Sequence, residues 1–593
     1  MASYSFTNNK SDNYKGKDTY AAFVDRLYFD TQGNSSRTYS SISQSNTNNS
    51  SYSLRGQLSY SDVYREIHRF SVLAGAEIRG EKAEGIFEKR YGYDPVTGNS
   101  AMPVPKDPGN GEGFKYSDLV SYANAMDQLS GQEIEENRFA SFYGALDYSL
   151  FDRYVLNVSF RTDGSNNFGS DEQFNPTWSA GAVWHVSEET FMEVVRPVLS
   201  RLSLRVATGY TGNINKTVKP NLMMKYYKNF RISDDENYRM GYINNAPNPK
   251  LRWEKTRDVK VALDFGLWKD RINGIVEAYW RKSKDCVTSE YVPVTTGFFN
   301  QSYNTSVLQN NGVEFSLSVA VLKSKDYNLS VSANVAWNQN KLKKYNSPNT
   351  SLALDKYVGY PMGAVFSGKY EGIDPETGMY KFKLRPDAVT NKDGYLREPN
   401  NYYYYLGTSV APFTGGFNLN FSYKNIGLSV GGSYSVKAKM VDNIESPAGY
   451  ELLSGSKLES IPTPHNDLYR NHLNVKREVR NRWTPENRTG VKYPRLIDAY
   501  GKKLGLDLTN PTLTTITRGA LLEDISYLRI NTIALSYSLP QRVLERINFS
   551  SAALNLTLNN FFTITKYSGI DPEVPGATYP VSRSVTIGLN VGF

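Results

Sequence analysis

The chain has 593 residues, several times an ordinary domain, and its 44 tyrosines and 13% aromatic content exclude a disordered polymer. A single cysteine, Cys286, excludes a disulfide scaffold, and no run approaches the roughly 18 apolar residues of a helical membrane span. The net charge of +9 sets 68 basic against 59 acidic residues with no basic run, so no nucleic-acid partner is expected.

The opening residues, Met1-Ala2-Ser3-Tyr4-Ser5-Phe6, carry neither a basic n-region nor an apolar h-region, so they do not read as a signal peptide. Either the protein is cytoplasmic or the chain begins partway through a longer gene.

Strand periodicity then runs along the chain. Tyr52, Leu54, Leu58 and Tyr60 alternate with Ser53, Arg55, Gln57 and Ser59. Val259, Val261, Leu263, Phe265 and Leu267 share a strand with Lys260 and Asp264. Val313, Phe315, Leu317 and Val319 alternate with Glu314, Ser316 and Ser318, and Leu329 to Trp337 repeats the pattern. Leu528 and Ile530 are even, whereas Ile533, Leu535, Tyr537 and Leu539 are odd, so a bulge near Asn531 is expected. Leu554, Leu556 and Leu558 follow, then Val585, Ile587, Leu589, Val591 and Phe593. Period two puts each apolar set on one face and the polar set on the other. Helical stretches are scarce, with 187–200 the best candidate.

The connections alternate in length. Tight turns are expected near 150–152, 268–272, 322–326 and 424–426. Long polar loops are expected near 81–136, 213–252, 284–309, 340–413, 438–520 and 565–582. A soluble sandwich has no reason to keep its long loops at one end, whereas a transmembrane barrel has short periplasmic turns and long extracellular loops. Counting back from Phe593 at the periplasmic end, every tight turn falls on the periplasmic side, with 424–426 among them and 438–520 outside. Strands of about ten residues suit a tilted bilayer crossing. Trp268, Trp280, Trp337, Phe421 and Tyr423 suit interfacial girdles. The expected fold is therefore all-β: a transmembrane antiparallel β-barrel of about seventeen strands, two either way.

The residues also carry a family resemblance. ISYLRINTIALSYSLP at 525–540 and LNNFFTITKYSGIDPEV at 558–574 resemble the closing strands of SusC/RagA-type TonB-dependent outer-membrane transporters. RTDGSNNFG at 161–169, LRVATGYTGN at 204–213, NPKLRWEKT at 248–256 and NNGVEFSLS at 310–318 resemble family blocks in the same order. So do FTGGFNLNFSYKNIGLSV at 413–430 and NRWTPENRTGVKYPRL at 481–496. The resemblance covers roughly residues 50–593. It implies an outer-membrane barrel of roughly twenty-two strands around a plug, preceded by a signal peptide and a TonB box. Neither a plug, a TonB box, a signal peptide nor the family's amino-terminal carboxypeptidase-like domain is recognisable, so residues 1–593 read as a partial, carboxyl-terminal barrel domain. Leu589, Val591 and the terminal Phe593 correspond to the barrel-assembly signal. The resemblance further implies uptake of oligosaccharides or peptides, energised by TonB–ExbB–ExbD, with a SusD-like surface lipoprotein as partner. A passive or adhesive surface barrel is the alternative, and an intracellular all-β enzyme stands further off.

No catalytic constellation is present: there is no G-x-S-x-G elbow, H-E-x-x-H or Walker loop, so neither an enzyme nor a cofactor is expected. His68, His185, His465 and His472 fit no metal-ligand spacing. The family's acidic loop segment is reduced here to NKDG at 391–394, keeping Asp393, and calcium needs several oxygen ligands, so no metal is expected. GIDPETG at 372–378 and GIDP at 569–572 read as turns. Cys286 is placed at the start of a long loop, and Trp483 reads as structural. The candidate substrate contacts are the run Tyr402, Tyr403, Tyr404 and Tyr405, with Phe298 and Phe299. Exposed aromatics offer flat faces for sugar rings, although packing beneath a loop or a membrane girdle is the readier explanation.

Overall fold

The computed structural model describes residues 1–16, 18, 29–31, 40–100, 103–105, 130–216, 218–227, 240–298, 300–345, 357–376, 378, 380–388, 401–441, 481–491, 493, 518–575 and 579–593. Among these, sixteen strands form one antiparallel sheet in chain order. They are Ala2–Lys15, Ser41–Tyr64, His68–Tyr91, Ser130–Leu150, Tyr154–Ser165, Phe174–His185, Leu199–Asn213 and Glu254–Leu267, then Ile272–Tyr291, Asn300–Lys323, Tyr327–Lys344, Phe413–Tyr423, Ile426–Val436, Tyr527–Ser538, Ser551–Thr565 and Ser584–Gly592. The first and last are the sheet edges among the described residues. Sixteen lies within the expected count.

Connections alternate between the two ends of the sheet, mostly short at one and long at the other, with 186–198 and 539–550 the longer exceptions at the short end. One end carries 65–67, 151–153, 186–198, 268–271, 324–326, 424–425 and 539–550; the other carries 16–40, 92–129, 166–173, 214–253, 292–299, 345–412, 437–526 and 566–583. Paired left-handed residues make two of the tight turns, Arg65–Glu66 and Phe151–Asp152. Positive φ at both central positions matches the right-handed twist of the strands they join. Five small two-stranded ladders all lie within the long connections.

Register explains the alternation of faces. Asn273, Ser318, Ser332, Asn418, Gly431, Thr532, Asn559 and Ser584 pair in one cross-strand row. One residue along each strand, Ile272, Val319, Val331, Leu419, Val430, Ile533, Leu558 and Val585 form the adjacent row. One face is thus wet and the other greasy, and a slip of one residue would exchange them. The expected bulge exists: register shifts between Ile530 and Thr532, which keeps Leu528, Ile530, Ile533 and Leu535 on the apolar face. Among the described residues nothing covers the apolar face, and Ile587 and Leu589 are 72% and 67% exposed. Total accessible surface is 37871 Å², against roughly 21,000 Å² for a compact monomer of this mass.

Aromatics band the apolar face at two levels. Tyr154, Trp184, Trp268, Tyr327, Tyr423 and Tyr537 lie near the short-turn end, and Trp178, Tyr210, Trp280 and Trp337 lie higher. Tyr327 and Trp337 are ten residues apart on one strand, about 33 Å of chain; tilted by about 45°, that spans roughly the 25 Å apolar band of an outer-membrane barrel.

Several expectations need correction. Segments 81–136 and 284–309 are not loops throughout: strands run on to Tyr91 and Tyr291 and resume at Ser130 and Asn300. Above the upper aromatic band both faces are wet, so ladder hydrogen bonding continues without apolar alternation and the sequence looks like loop. Cys286 accordingly sits at an irregularity inside the strand Ile272–Tyr291, not at a loop start. The segment 187–200 holds 3-10 turns at Val186–Glu188 and Thr190–Met192, while a described α-helix, Gln541–Ile547, follows Pro540.

Candidate functional site: the polar wall and its mouth

Strand polarity gives the wet face two chemically different sectors. Between Ser41–Tyr64 and Ile272–Tyr291, charges stand in pairs. Arg161 lies 2.7 Å from Asp163 and 4.0 Å from Glu77, Arg205 2.6 Å from Asp264, Lys260 3.0 Å from Glu277 and Arg281 2.8 Å from Asp258. Arg281 and Asp258 face each other directly across the ladder. Tyr143 ties this sector together, accepting a hydrogen bond from Arg55 with the Arg55 and Arg161 guanidinia over its ring at 5.0 and 5.6 Å. Such half-exposed pairs each contribute about 0–1 kcal/mol; their effect is to leave the wall locally neutral. The remaining sector, from Tyr327–Lys344 onward and below the bulge at Asn531, presents serine, threonine, asparagine, glycine and alanine beside a recess of about 700 Å³, with Glu314 of the strand Asn300–Lys323 at its border.

At the long-loop end, sequence motifs far apart in the chain join in space. Phe168 of RTDGSNNFG stacks on Trp253 of NPKLRWEKT at 4.6 Å, with Leu251 only 2% exposed beneath. The Gly169 amide donates to Leu251 O at 2.9 Å; a Cβ at Gly169 would lie 1.8 Å from Pro249 O, so only glycine permits the approach. The Trp483 indole donates to Pro375 O at 3.0 Å, joining NRWTPENRTG to GIDPETG. In the latter, the Asp374 carboxylate accepts the Glu376 amide at 2.8 Å, an Asx turn.

The third junction is ionic and buried. Arg529 lies 2.5 Å from Asp571 and 2.8 Å from Glu573, with the Arg529 and Asp571 side chains 3% and 5% exposed. Asp571 also accepts the amides of Glu573 and Val581, at 2.9 and 3.1 Å. Burial alone would raise the Asp571 pKa, but those amides and the Arg529 guanidinium outweigh it and hold the carboxyl below its usual range. The GIDP turn is therefore also a clasp holding 566–583 against the wall.

The tyrosine run is divided among different tasks. Tyr403, Tyr404 and Tyr405 lie on a short strand paired with Ala364–Gly368. Tyr404 donates to Leu384 O at 2.9 Å. Tyr405 packs against Tyr360 and Phe366, ring centroids 4.9 and 5.7 Å away, in a cluster that Tyr357 completes. Tyr402 is half-buried just before that strand. Phe298 follows the 3-10 turn Val294–Thr296 in the link 292–299, and no ring contact joins it to the tyrosines among the described residues. Phe299, Asp393, His465 and His472 lie outside the described residues. Beside Tyr405 a cavity of about 490 Å³ is lined by Tyr360, Met362, Trp337 and Asn338. It opens where Tyr327–Lys344 outruns its neighbour, whose pairing stops at Trp337–Phe413. Among the described residues, no three His, Cys, Asp or Glu side chains are grouped to hold a metal. Sequence reasoning missed both the charged sector and the clasp; the charges were visible as polar positions, but their partners sit on other strands.

Residues 2–444 match the family model described as TonB dependent receptor-like, beta-barrel. The chain belongs to that family. Its apolar face is then the lipid face in the outer membrane, and its wet face the lumen. TonB-dependent receptor SusC of Bacteroides thetaiotaomicron is 26% identical over 88% of this chain and 48% of its own length. TonB-dependent receptor P26 of Formosa agariphila is 25% identical over 99% of this chain and 57% of its own. This chain thus spans about half the length of the curated relatives it matches. In the solved structures, the RagAB peptide transporter has the same fold, with a TM-score of 0.74, 23% identity, and coverage of 100% of this chain and 59% of that one.

Loop parity sets sidedness. With Cys286 replaced, a cysteine at Val96, 91% exposed in 92–129, should react with an impermeant thiol reagent on intact cells. One at Asn425, in the turn 424–425, should react only after the outer membrane is opened. Labelling of Asn425→Cys but not Val96→Cys on intact cells would reverse the topology.

Proposed function

We propose that this chain is the barrel of an outer-membrane importer that takes up oligosaccharides or peptides, powered through TonB–ExbB–ExbD and working with a SusD-like surface lipoprotein. What carries this reading is the family match along 2–444 together with a continuous hydrated wall running through the apolar band. Such a wall suits a lumen through which cargo moves. The ion pairs give that wall charges that are already satisfied, so it can face moving contents without holding them. The aromatic cluster around Tyr405 places flat faces at the mouth, where an incoming ligand would first be met. The experiment is deletion of the gene for the full-length protein in its host, with growth followed on oligosaccharide and peptide panels. Loss of growth on one class, restored by the gene and abolished again without TonB, is the expected result. Uptake that survives removal of TonB would replace active import with a passive pore.

A further inference from the structure

The division of the lumen wall into two sectors has a chemical consequence. From Tyr327–Lys344 to Ser584–Gly592, the inward positions from Asn328 to Asn340 and, on the later strands, up to the bulge at Asn531 are only serine, threonine, asparagine, glycine and alanine. The recess of about 700 Å³ lies here, between the two aromatic levels. Its single charged lining residue, Arg201, is turned to Asn273, donating to its Oδ1 at 2.9 Å. Ser316, Ser318, Ser332, Asn418 and Ser429 line it without a side-chain hydrogen bond among the described residues. In the opposite sector the charges are engaged with one another.

We propose that this neutral sector is the transit lane, and that it takes an uncharged, hydroxyl-rich chain: a neutral oligosaccharide. The proposal rests on the import reading above. Hydroxyl and amide side chains both donate and accept, so they can exchange partners with a sugar hydroxyl at any position along the lane. Each such bond is weak in water. Transit requires binding good enough to enter yet spread over weak sites so that the cargo leaves. An ionised cargo moving along these strands would shed water with no counter-charge on them, since Arg201 and the inward Glu314 stand only at the border of the sector. Gly416 and Gly431 recess the wall and leave room for a ring.

The test uses the full-length protein in its host. Deletion strains are grown on neutral oligosaccharides derived from starch, fructan and xylan, on oligogalacturonate and on a peptide mixture. A requirement for a neutral oligosaccharide is expected; a requirement confined to oligogalacturonate or peptides overturns the lane. Ser332→Val with Asn418→Leu, neither side chain hydrogen-bonded among the described residues, should then slow uptake of that oligosaccharide about tenfold. Ala207→Leu, on the charged sector, should not, at equal surface amount and equal heat-modifiable gel mobility. Ser429→Lys should let oligogalacturonate enter. Unchanged uptake in the double variant, with TonB dependence intact, sinks the lane while leaving import standing. No growth defect in the deletion on any substrate sinks import itself, and the lane with it.

Discussion

Replacing Arg529 with methionine is expected to release the segment 566–583 from the wall at a cost of about 3–5 kcal/mol, the usual penalty for breaking a buried pair and leaving its partner charged. Asp571 would remain 5% exposed, with two backbone amides but no cation. Amide exchange at Glu573 and Val581, which the carboxylate now holds, should accelerate by roughly two orders of magnitude or more. Arg529→Met with Asp571→Asn should recover most of the protection, because no charge is then stranded. Unchanged exchange in the single variant would show that the clasp does not hold the loop. The pH dependence follows from the sign of the shift. The folded Asp571 carboxyl titrates below its unfolded value. Its contribution is therefore complete above the unfolded value of about 3.9 and fades only as pH falls through the lower folded one. The clasp should survive mild acid.

Val430→Arg is expected to impair assembly far more than Ser429→Arg, one residue away. Val430 belongs to the apolar row between Leu419 and Ile533, so an arginine there meets lipid near the midplane at about 2–4 kcal/mol. Ser429 faces the lumen, where the guanidinium stays hydrated. Heat-modifiable mobility and urea unfolding in liposomes of the full-length protein would compare them. Equal assembly of both variants would count against the facing of the whole sheet. The same logic makes Leu589→Asp worse than Asn590→Asp in the last strand, with a smaller expected effect because it lies nearer the interface.

The sequence alone was enough for fold class, for the facing of residues in the strands whose apolar positions alternate, such as Val313–Val319 and Val585–Val591, and for the bulge at Asn531. In those segments lipid and water impose opposite demands on alternate residues, so the period of two is written into the composition of each strand. Turn positions 150–152 and 424–426 were legible for the same reason: alternation stops there. The strands above the bilayer, such as Ser41–Ser50 and Val287–Tyr291, were not legible, since wet ladders impose no such alternation. Nor could the sequence show that Arg529 meets Asp571, Phe168 meets Trp253, or Trp483 meets Pro375. Those contacts join positions 42, 85 and 108 residues apart. Sheet order and register alone bring them together. The two sectors of the lumen were decided in the same way: every strand contributes an alternating polar face, but which of those faces adjoin depends on neighbour order, a property of the assembled sheet that no single strand contains.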